Sequence, residues 1–243
     1  MFYSKSLDEG KTWSKEKIET GHDGALRRAS LTVDGNGKVF IGFETHDKFN
    51  YADVTSVAYG SNFEYDMYCA TNKSGTWSIE LLYTHENGTT GREITGMDVD
   101  SENNIYIFAG YYGWWSYGGT AYEYIRSATT DTWGSATQIA KFTDTTVDRG
   151  IYGYYASHIE SDGDITVVAL RQGTTTGTTD KLFYIRKQSG IWATPVEVDT
   201  PVRANHRTNH FDSAMDSNNN IYLAYVKDDS LGNPQVLFST DFG

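Results

Sequence analysis

The sequence has few of the features that mark membrane, disulfide-rich or nucleic-acid-binding proteins. Its 243 residues include 3 prolines and a single cysteine, Cys69, which cannot form an internal disulfide and is expected to be a small buried hydrophobic group in a strand. No apolar run approaches the length of a transmembrane helix, and the first residues lack the apolar stretch of a signal peptide. The net charge of -12 opposes binding to a phosphate backbone. We therefore expect no membrane insertion and no nucleic-acid partner.

Aromatic and turn-forming residues are abundant instead. Aromatic residues make up 14% of the chain, and Gly, Thr, Asn and Asp recur between short apolar runs, a pattern that favours strands and turns. No window shows helical periodicity. All-β proteins of this length are routinely single domains, so the chain does not require a second one.

A repeat of about 60 residues organises the chain. Four segments end a strand at an acidic residue, pass through a turn rich in Asp, Asn and Gly, and begin another strand; the acids are Asp34, Asp100, Glu160 and Asp216. In a second series, a strand containing Tyr or Phe precedes a tryptophan, at Trp13, Trp77, Trp133 and Trp192. Each repeat is therefore predicted to contain four antiparallel strands. Strand A ends at the acid, B follows the hairpin, C carries the Tyr or Phe, and D starts at the tryptophan.

Radial repetition of such a unit gives a β-propeller, which is the predicted all-β fold class, whereas linear stacking would give a solenoid. The predicted single propeller domain, 1–243, consists of N-terminal strands C and D at 1–20 and blades at approximately 22–83, 92–142, 150–199 and 203–243. The chain thus supplies about four blades. Either the N-terminal D strand completes the last blade, or the chain is part of a larger ring.

The turns before the tryptophans resemble the Asp-box (BNR) repeat of the sialidase superfamily. Ser6, Asp8, Gly10, Thr12 and Trp13 match the pattern Ser-x-Asp-x-Gly-x-Thr-Trp in full. The resemblance implies a carbohydrate-active propeller and favours an extracellular or cell-surface location. The motif itself is a folding device, because its Asp accepts hydrogen bonds from its own turn and its Gly supplies a positive φ.

The same resemblance implies roles near the first complete blade. Arg28 would bind a substrate carboxylate, and Asp47 or Asp53 would serve as an acid. The sequence departs from the family pattern at Ala29 and Ser30, where the family has Ile-Pro, and it shows no identifiable Tyr-Glu nucleophile pair.

Arginine is unevenly distributed over the predicted blades. In a propeller the D-A and B-C loops lie on one face, beside the central channel, and the A-B and C-D turns lie on the other. Seven of the nine arginines belong to the first face. Because a guanidinium binds a carboxylate through two parallel hydrogen bonds, this distribution predicts a pocket for an acidic oligo- or polysaccharide. The predicted substrate-binding arginines are Arg27, Arg28, Arg92, Arg149, Arg203 and Arg207.

Aromatic residues and histidines complete the predicted site. Trp114 and Trp115 belong to the B-C loop of the second complete blade, on the same face, and are predicted to stack on sugar rings. Histidine beside tyrosine can transfer protons near neutral pH, so the predicted catalytic residues are His206, His210, Tyr154, Tyr155 and Asp47. This combination suits a glycoside hydrolase or a polysaccharide lyase.

Other functions remain compatible with the same residues. A non-catalytic glycan-recognition or adhesion propeller would use the arginines and the aromatic loop without a base, and a scaffold for protein partners would bind no glycan. No cofactor is predicted. The Asp- and Asn-rich turns are compatible with structural calcium, but none matches a calcium-binding motif.

Overall fold

A computed structural model describes residues 1–21, 25–46, 66–72, 75–84, 91–112, 119–142, 155–160, 162–171, 181–199, 211–228 and 234–240. The secondary structure of these residues consists of strands and turns. None of them belongs to a helix long and apolar enough to cross a membrane.

The described strands form five antiparallel sheets. The first contains β1 (Phe2–Lys5) and β2 (Ser14–Lys17), and we call it the N-terminal hairpin. Blade 1 contains β3 (Ala25–Val33), β4 (Val39–His46), β5 (Asp66–Thr71) and β6 (Ser78–Tyr83). Blade 2 contains β7 (Gly91–Val99), β8 (Ile105–Tyr112), β9 (Gly119–Arg126) and β10 (Thr137–Phe142). Blade 3 contains β11 (Tyr155–Ile159), β12 (Ile165–Arg171), β13 (Lys181–Gln188), β14 (Ile191–Trp192) and β15 (Val196–Asp199), and blade 4 contains β16 (Phe211–Met215), β17 (Ile221–Asp228) and β18 (Pro234–Thr240).

The predicted four-stranded antiparallel unit is confirmed. In blades 1 and 2 the strands follow each other across the sheet in chain order, and in blade 3 the outermost strand is divided into β14 and β15, which both pair with β13. The inner strands are neighbours: β3 contacts β7, β7 contacts β11, and β11 contacts β16. Among the described strands β2 pairs with β1, and β18 pairs with β17, so the pairing observed does not join β2 to blade 4. That the whole chain forms one domain stays a prediction.

The core lies between the sheets, because the second strand of each complete blade is covered on both faces. Residues 165–170 of β12, for example, are all buried. Four separate apolar clusters fill the spaces between successive sheets. Ile18 and Phe43 belong to the cluster between the N-terminal hairpin and blade 1, and Met67 and Ile107 to the cluster between blades 1 and 2. Phe108 and Val167 belong to the cluster between blades 2 and 3, and Leu182 and Leu223 to the cluster between blades 3 and 4. Cys69 belongs to the second cluster and is 1% exposed, and this burial raises the pKa of its thiol to about 12. The expectation of a small buried hydrophobic group is thus confirmed.

The turn from Ser6 to Trp13 is held by its own side chains. Asp8 accepts hydrogen bonds through Oδ1 from the backbone N–H of Thr12, at 2.8 Å, and through Oδ2 from the Thr12 hydroxyl, at 2.7 Å. Gly10 has a φ of 86°, and its N–H donates to Ser6 Oγ at 2.8 Å. These bonds to the ionised carboxylate lower the pKa of Asp8 to about 2. Both oxygens of the Asp8 carboxylate therefore accept hydrogen bonds from within the turn and stabilise it.

Two tryptophans of the predicted series join adjacent blades. The Trp133 indole Nε1 of blade 2 donates to Glu80 Oε2 of blade 1, at 2.8 Å. In the same way Trp192 Nε1 of blade 3 donates to Glu123 Oε1 of blade 2, at 3.0 Å, and Lys187 Nζ donates to the two oxygens of Glu123 at 2.7 and 2.9 Å. We call the group of Glu123, Lys187 and Trp192 the Glu123 bridge.

Candidate functional site

Two of the predicted substrate-binding arginines lie at the same end of adjacent inner strands. We call the end at which the inner strands begin the loop end, and the opposite end the turn end. Arg28 is the fourth residue of β3, and Arg92 is the second residue of β7, which contacts β3. The structure therefore brings these two predicted residues to one end of the fold.

A β-bulge directs Arg28 toward the next blade. The pairing of β3 with β4 shifts register between Arg27 and Ala29, and Arg28 has a φ of 34°, which an arginine rarely adopts. Its Nη2 lies 3.0 Å from Oε2 of Glu93 in blade 2. The Glu93 side chain is 7% exposed and the Arg28 side chain 32%, so the ion pair compensates a buried carboxylate while the guanidinium still reaches solvent.

Arg92 is surrounded by tyrosine rings from two blades. Its guanidinium carbon lies 3.9 Å from the ring centroid of Tyr122 and 4.3 Å from that of Tyr83, within the range of cation-π interactions. Its Nη1 donates a hydrogen bond to the Tyr124 hydroxyl. Burial raises the pKa of Tyr124, although the nearby guanidinium acts in the opposite direction. Arg92 therefore joins blade 1, through Tyr83, to blade 2.

Two buried carboxylates that were not among the predicted site residues, Glu44 and Glu93, lie at this end. Glu44 of β4 is fully buried, and its Oε1 accepts a hydrogen bond from the backbone N–H of Ile94 in β7, at 2.5 Å. Glu93, the partner of Arg28, is 5% exposed. The available signals were an acid that ends the buried apolar run beginning at Val39, and an acid directly after Arg92. Both glutamates connect blade 1 to blade 2 at the loop end.

Of the other predicted site residues, only Arg27 and Tyr155 lie within the part of the chain that the structure describes. The backbones of Arg27 and Tyr155 lie in β3 and β11, where they pair with Glu44 and Ala169. Ten predicted residues lie outside the described residues: His206, His210, Tyr154, Asp47, Asp53, Arg149, Arg203, Arg207, Trp114 and Trp115. Their roles stay predictions.

Two of the three arginines that were not assigned to the site, Arg126 and Arg186, lie toward the turn end and are engaged in ion pairs. Near Arg186, ligand oxygens of Glu160, Asp162 and Asp164 lie within 4.8 Å of one another, a spacing that suits a metal ion. However, Arg186 Nε donates to Glu160 Oε1 at 3.0 Å, and its Nη2 lies 3.4 Å from Asp164 Oδ2. The guanidinium already compensates these carboxylates, so we assign no metal to them.

A histidine and a serine connect the inner strands of blades 3 and 4. His158 Nε2 of β11 lies 2.7 Å from Ser213 Oγ of β16. Burial lowers the pKa of His158, while the charge of Asp212 acts in the opposite direction. Burial therefore favours a neutral imidazole at His158.

Solved structures share this arrangement of sheets. A protein of unknown function from Dyadobacter fermentans superposes with a TM-score of 0.62 at 12% identity, over 98% of this chain and 67% of its own. An α-L-arabinanase of Penicillium chrysogenum, complexed with arabinobiose, has a TM-score of 0.59 at 12% identity, over 90% of this chain and 64% of its own. The fold is a β-propeller. The predicted fold class is thereby confirmed.

An ulvan lyase, which is a polysaccharide lyase with a propeller fold, superposes with a TM-score of 0.56 at 10% identity. The match includes 88% of this chain and 52% of the lyase. The neighbours thus include both glycoside hydrolases and a polysaccharide lyase. The chain spans between about half and two thirds of the length of these proteins. No family model and no curated protein matches the sequence.

Proposed function

We propose that this propeller binds and processes an acidic glycan at its loop end, as a glycoside hydrolase or a polysaccharide lyase. The observation that supports the proposal most strongly is the position of Arg28 and Arg92 at the same ends of two adjacent inner strands. Arg28 is the stronger candidate for a ligand carboxylate, because its guanidinium is partly exposed and is held in place by Glu93. An arginine with a fixed orientation loses less side-chain entropy when it binds.

The proposal assigns the remaining arginines, Arg27, Arg149, Arg203 and Arg207, to the same opening, with Trp114 and Trp115 as stacking surfaces. His206, His210, Tyr154, Tyr155 and Asp47 are the proposed groups for proton transfer. In this scheme an arginine neutralises the substrate carboxylate, which favours removal of the adjacent C–H proton in a lyase and orients the sugar in a hydrolase. The Asp-box relationship to sialidases belongs to the same proposal.

One observation favours a non-catalytic recognition module as the second candidate. Each of the two buried carboxylates at the loop end is engaged by the protein itself, Glu44 by the Ile94 N–H and Glu93 by Arg28. Carboxylates held in this way are suited to fixing the position of a cation or a strand, rather than to exchanging a proton with a substrate. Such a module would bind the same acidic glycan without turnover.

A substrate screen tests the proposal. The protein is incubated with alginate, polygalacturonate, glucuronan and sialosides, and products are followed by ultraviolet absorbance of unsaturated uronates and by a reducing-end assay. Binding is measured in parallel by calorimetry. We expect turnover of at least one uronic-acid polysaccharide, and absence of both binding and turnover with every acidic glycan would refute the proposal.

Variants separate the two candidates. Arg28→Ala and Arg207→Ala should weaken binding under either of them, whereas His206→Ala and His210→Ala should abolish turnover and retain binding only if the protein is an enzyme. Lys11→Ala, at an exposed position of the N-terminal turn, is the control and should change neither quantity. Binding without turnover by the unaltered protein would assign it to the recognition class.

A further inference from the structure

The hairpin turns between the first two strands of blades 2 and 4 share one hydrogen-bonding pattern, and the turn of blade 1 has only half of it. In blade 2, Asp100 Oδ1 accepts from the N–H groups of Glu102 and Asn104, at 2.9 and 2.8 Å. Its Oδ2 accepts from Asn104 Nδ2 at 2.8 Å and from the Tyr106 hydroxyl at 3.0 Å. Both oxygens of this carboxylate are therefore satisfied within the turn.

Blade 4 repeats the pattern atom for atom. Asp216 Oδ1 accepts from the N–H groups of Asn218 and Asn220, at 2.8 and 2.9 Å. Its Oδ2 accepts from Asn220 Nδ2 at 2.8 Å and from the Tyr222 hydroxyl at 3.0 Å. The asparagine and tyrosine, four and six residues after the aspartate, thus complete the turn in these two blades.

In blade 1 the corresponding positions are Lys38 and Phe40. Asp34 Oδ1 keeps its two bonds, from the N–H groups of Asn36 and Lys38 at 2.9 and 2.8 Å. Asp34 Oδ2 has no hydrogen-bond partner among the described residues, although Asp34 is only 9% exposed. This oxygen is therefore available to a hydrogen-bond donor from outside the turn.

A cavity lies beside this turn, and Asp34 is one of its lining residues. It has a volume of about 110 Å³, lies at the turn end between blades 1 and 2, and is lined by Asp34, Asn36, Lys38, Phe40, Asn103 and Arg126 among others. This volume is smaller than the several hundred Å³ of a pocket for a drug-sized ligand, so the cavity has room for only part of one sugar ring. It is also remote from the loop end, where the proposed function is located.

The charges of the lining indicate a neutral ligand. Asp34 and Asp131 contribute two carboxylates, and Lys38 and Arg126 contribute two cations, so the formal charges balance. We propose that this cavity is a second carbohydrate site, which binds a neutral sugar residue. One sugar hydroxyl donates to Asp34 Oδ2, and an adjacent hydroxyl accepts from Lys38 Nζ. This site goes beyond the proposed function and does not depend on it.

The repeat itself supplies the decisive variant. Lys38→Asn/Phe40→Tyr recreates in blade 1 the asparagine and tyrosine of blades 2 and 4, which should satisfy Asp34 Oδ2 from within the turn and removes the Lys38 ammonium from the cavity. Methyl β-D-glucopyranoside, methyl β-D-galactopyranoside and methyl α-L-arabinofuranoside are titrated into isotope-labelled protein. Amide shifts are followed by nuclear magnetic resonance at residues 35–38 and at Asn103. We expect saturable shifts with at least one glycoside, and affinity about tenfold or more lower in the double variant.

The control is the converse exchange in blade 4, Asn220→Lys/Tyr222→Phe, which should leave the shifts in blade 1 unchanged. Thermal melting verifies that each variant is folded, and we expect Lys38→Asn/Phe40→Tyr to melt no lower than the unaltered protein. Sodium acetate and glycerol serve as charge and size controls. The proposal is overturned if no glycoside shifts these amides, if the double variant binds equally well, or if acetate or glycerol shifts them as strongly as the glycosides do.

Discussion

The Glu123 bridge makes the contact between blades 2 and 3 sensitive to a change of one atom. Glu123 is 1% exposed, and Lys187 is 12% exposed, so both charges are largely removed from water. Glu123→Gln keeps the shape and an acceptor for the Trp192 indole but leaves the ammonium without a counter-charge. Loss of one member of a buried pair costs about 3 kcal/mol or more. For a chain of this size that corresponds to a melting temperature lower by about 6 to 12 °C.

Glu80→Gln is the matched comparison, because Glu80 accepts from the Trp133 indole in the equivalent position. Glu80 is 32% exposed, and its cationic partner Arg126 also pairs with Asp131, so the cation is not left alone. We expect a loss of about 1 kcal/mol at most for this variant. Melting is followed by circular dichroism under identical conditions. A shift for Glu123→Gln that is no larger than the shift for Glu80→Gln would refute the reasoning.

Two further predictions concern the contacts between other blades. At Gly42 an added Cβ would lie 3.0 Å from Met97 Sδ and 3.1 Å from Ile94 Cδ1. Gly42→Ala should therefore lower the free energy of unfolding, measured by chemical denaturation, by about 1 to 3 kcal/mol. At Gly134 the nearest contact of an added Cβ is 3.6 Å, so Gly134→Ala should change the free energy of unfolding little in the same assay. Burial lowers the pKa of His158 in the folded state below 6.5, the ordinary pKa of a histidine. The folded state therefore binds this proton less readily than the unfolded state, so the protein has its full stability above about pH 6.5 and loses stability as the pH falls. The melting temperature should therefore decrease from about pH 7 to pH 5 by less in His158→Gln than in the unaltered protein, and equal decreases would contradict the role of this histidine.

Much of the architecture follows from local sequence signals. The acidic turns and the tryptophan series predict the strands because each signal acts within a few residues, through turn hydrogen bonds and the start of a strand. The division of the outer strand of blade 3 into β14 and β15 was not predicted. The break falls at residues 193–195, where Pro195 has no N–H to donate to the neighbouring strand, so the sequence carries a signal for the break that was not used.

The candidate site shows a sharper limit. The distribution of arginines predicts that Arg28 and Arg92 share one end of the fold, because that follows from strand order alone. Their partners depend on contacts between blades, which a repeat pattern does not specify. The bulge that turns Arg28 toward Glu93, and the tyrosines around Arg92, are consequences of packing between residues that lie far apart in the sequence.

The four separate apolar clusters mean that each blade is stabilised chiefly by the sheets beside it, as in a linear array of units coupled to their nearest neighbours. A substitution that changes the packing in one space between blades should then affect mainly the two blades beside that space, because the described apolar clusters do not form one common core. The loop end at Arg28 and Arg92 draws its rigidity from the space between blades 1 and 2. Substitutions at the loop end of blades 1 and 2 should therefore leave the packing between blades 3 and 4 unchanged.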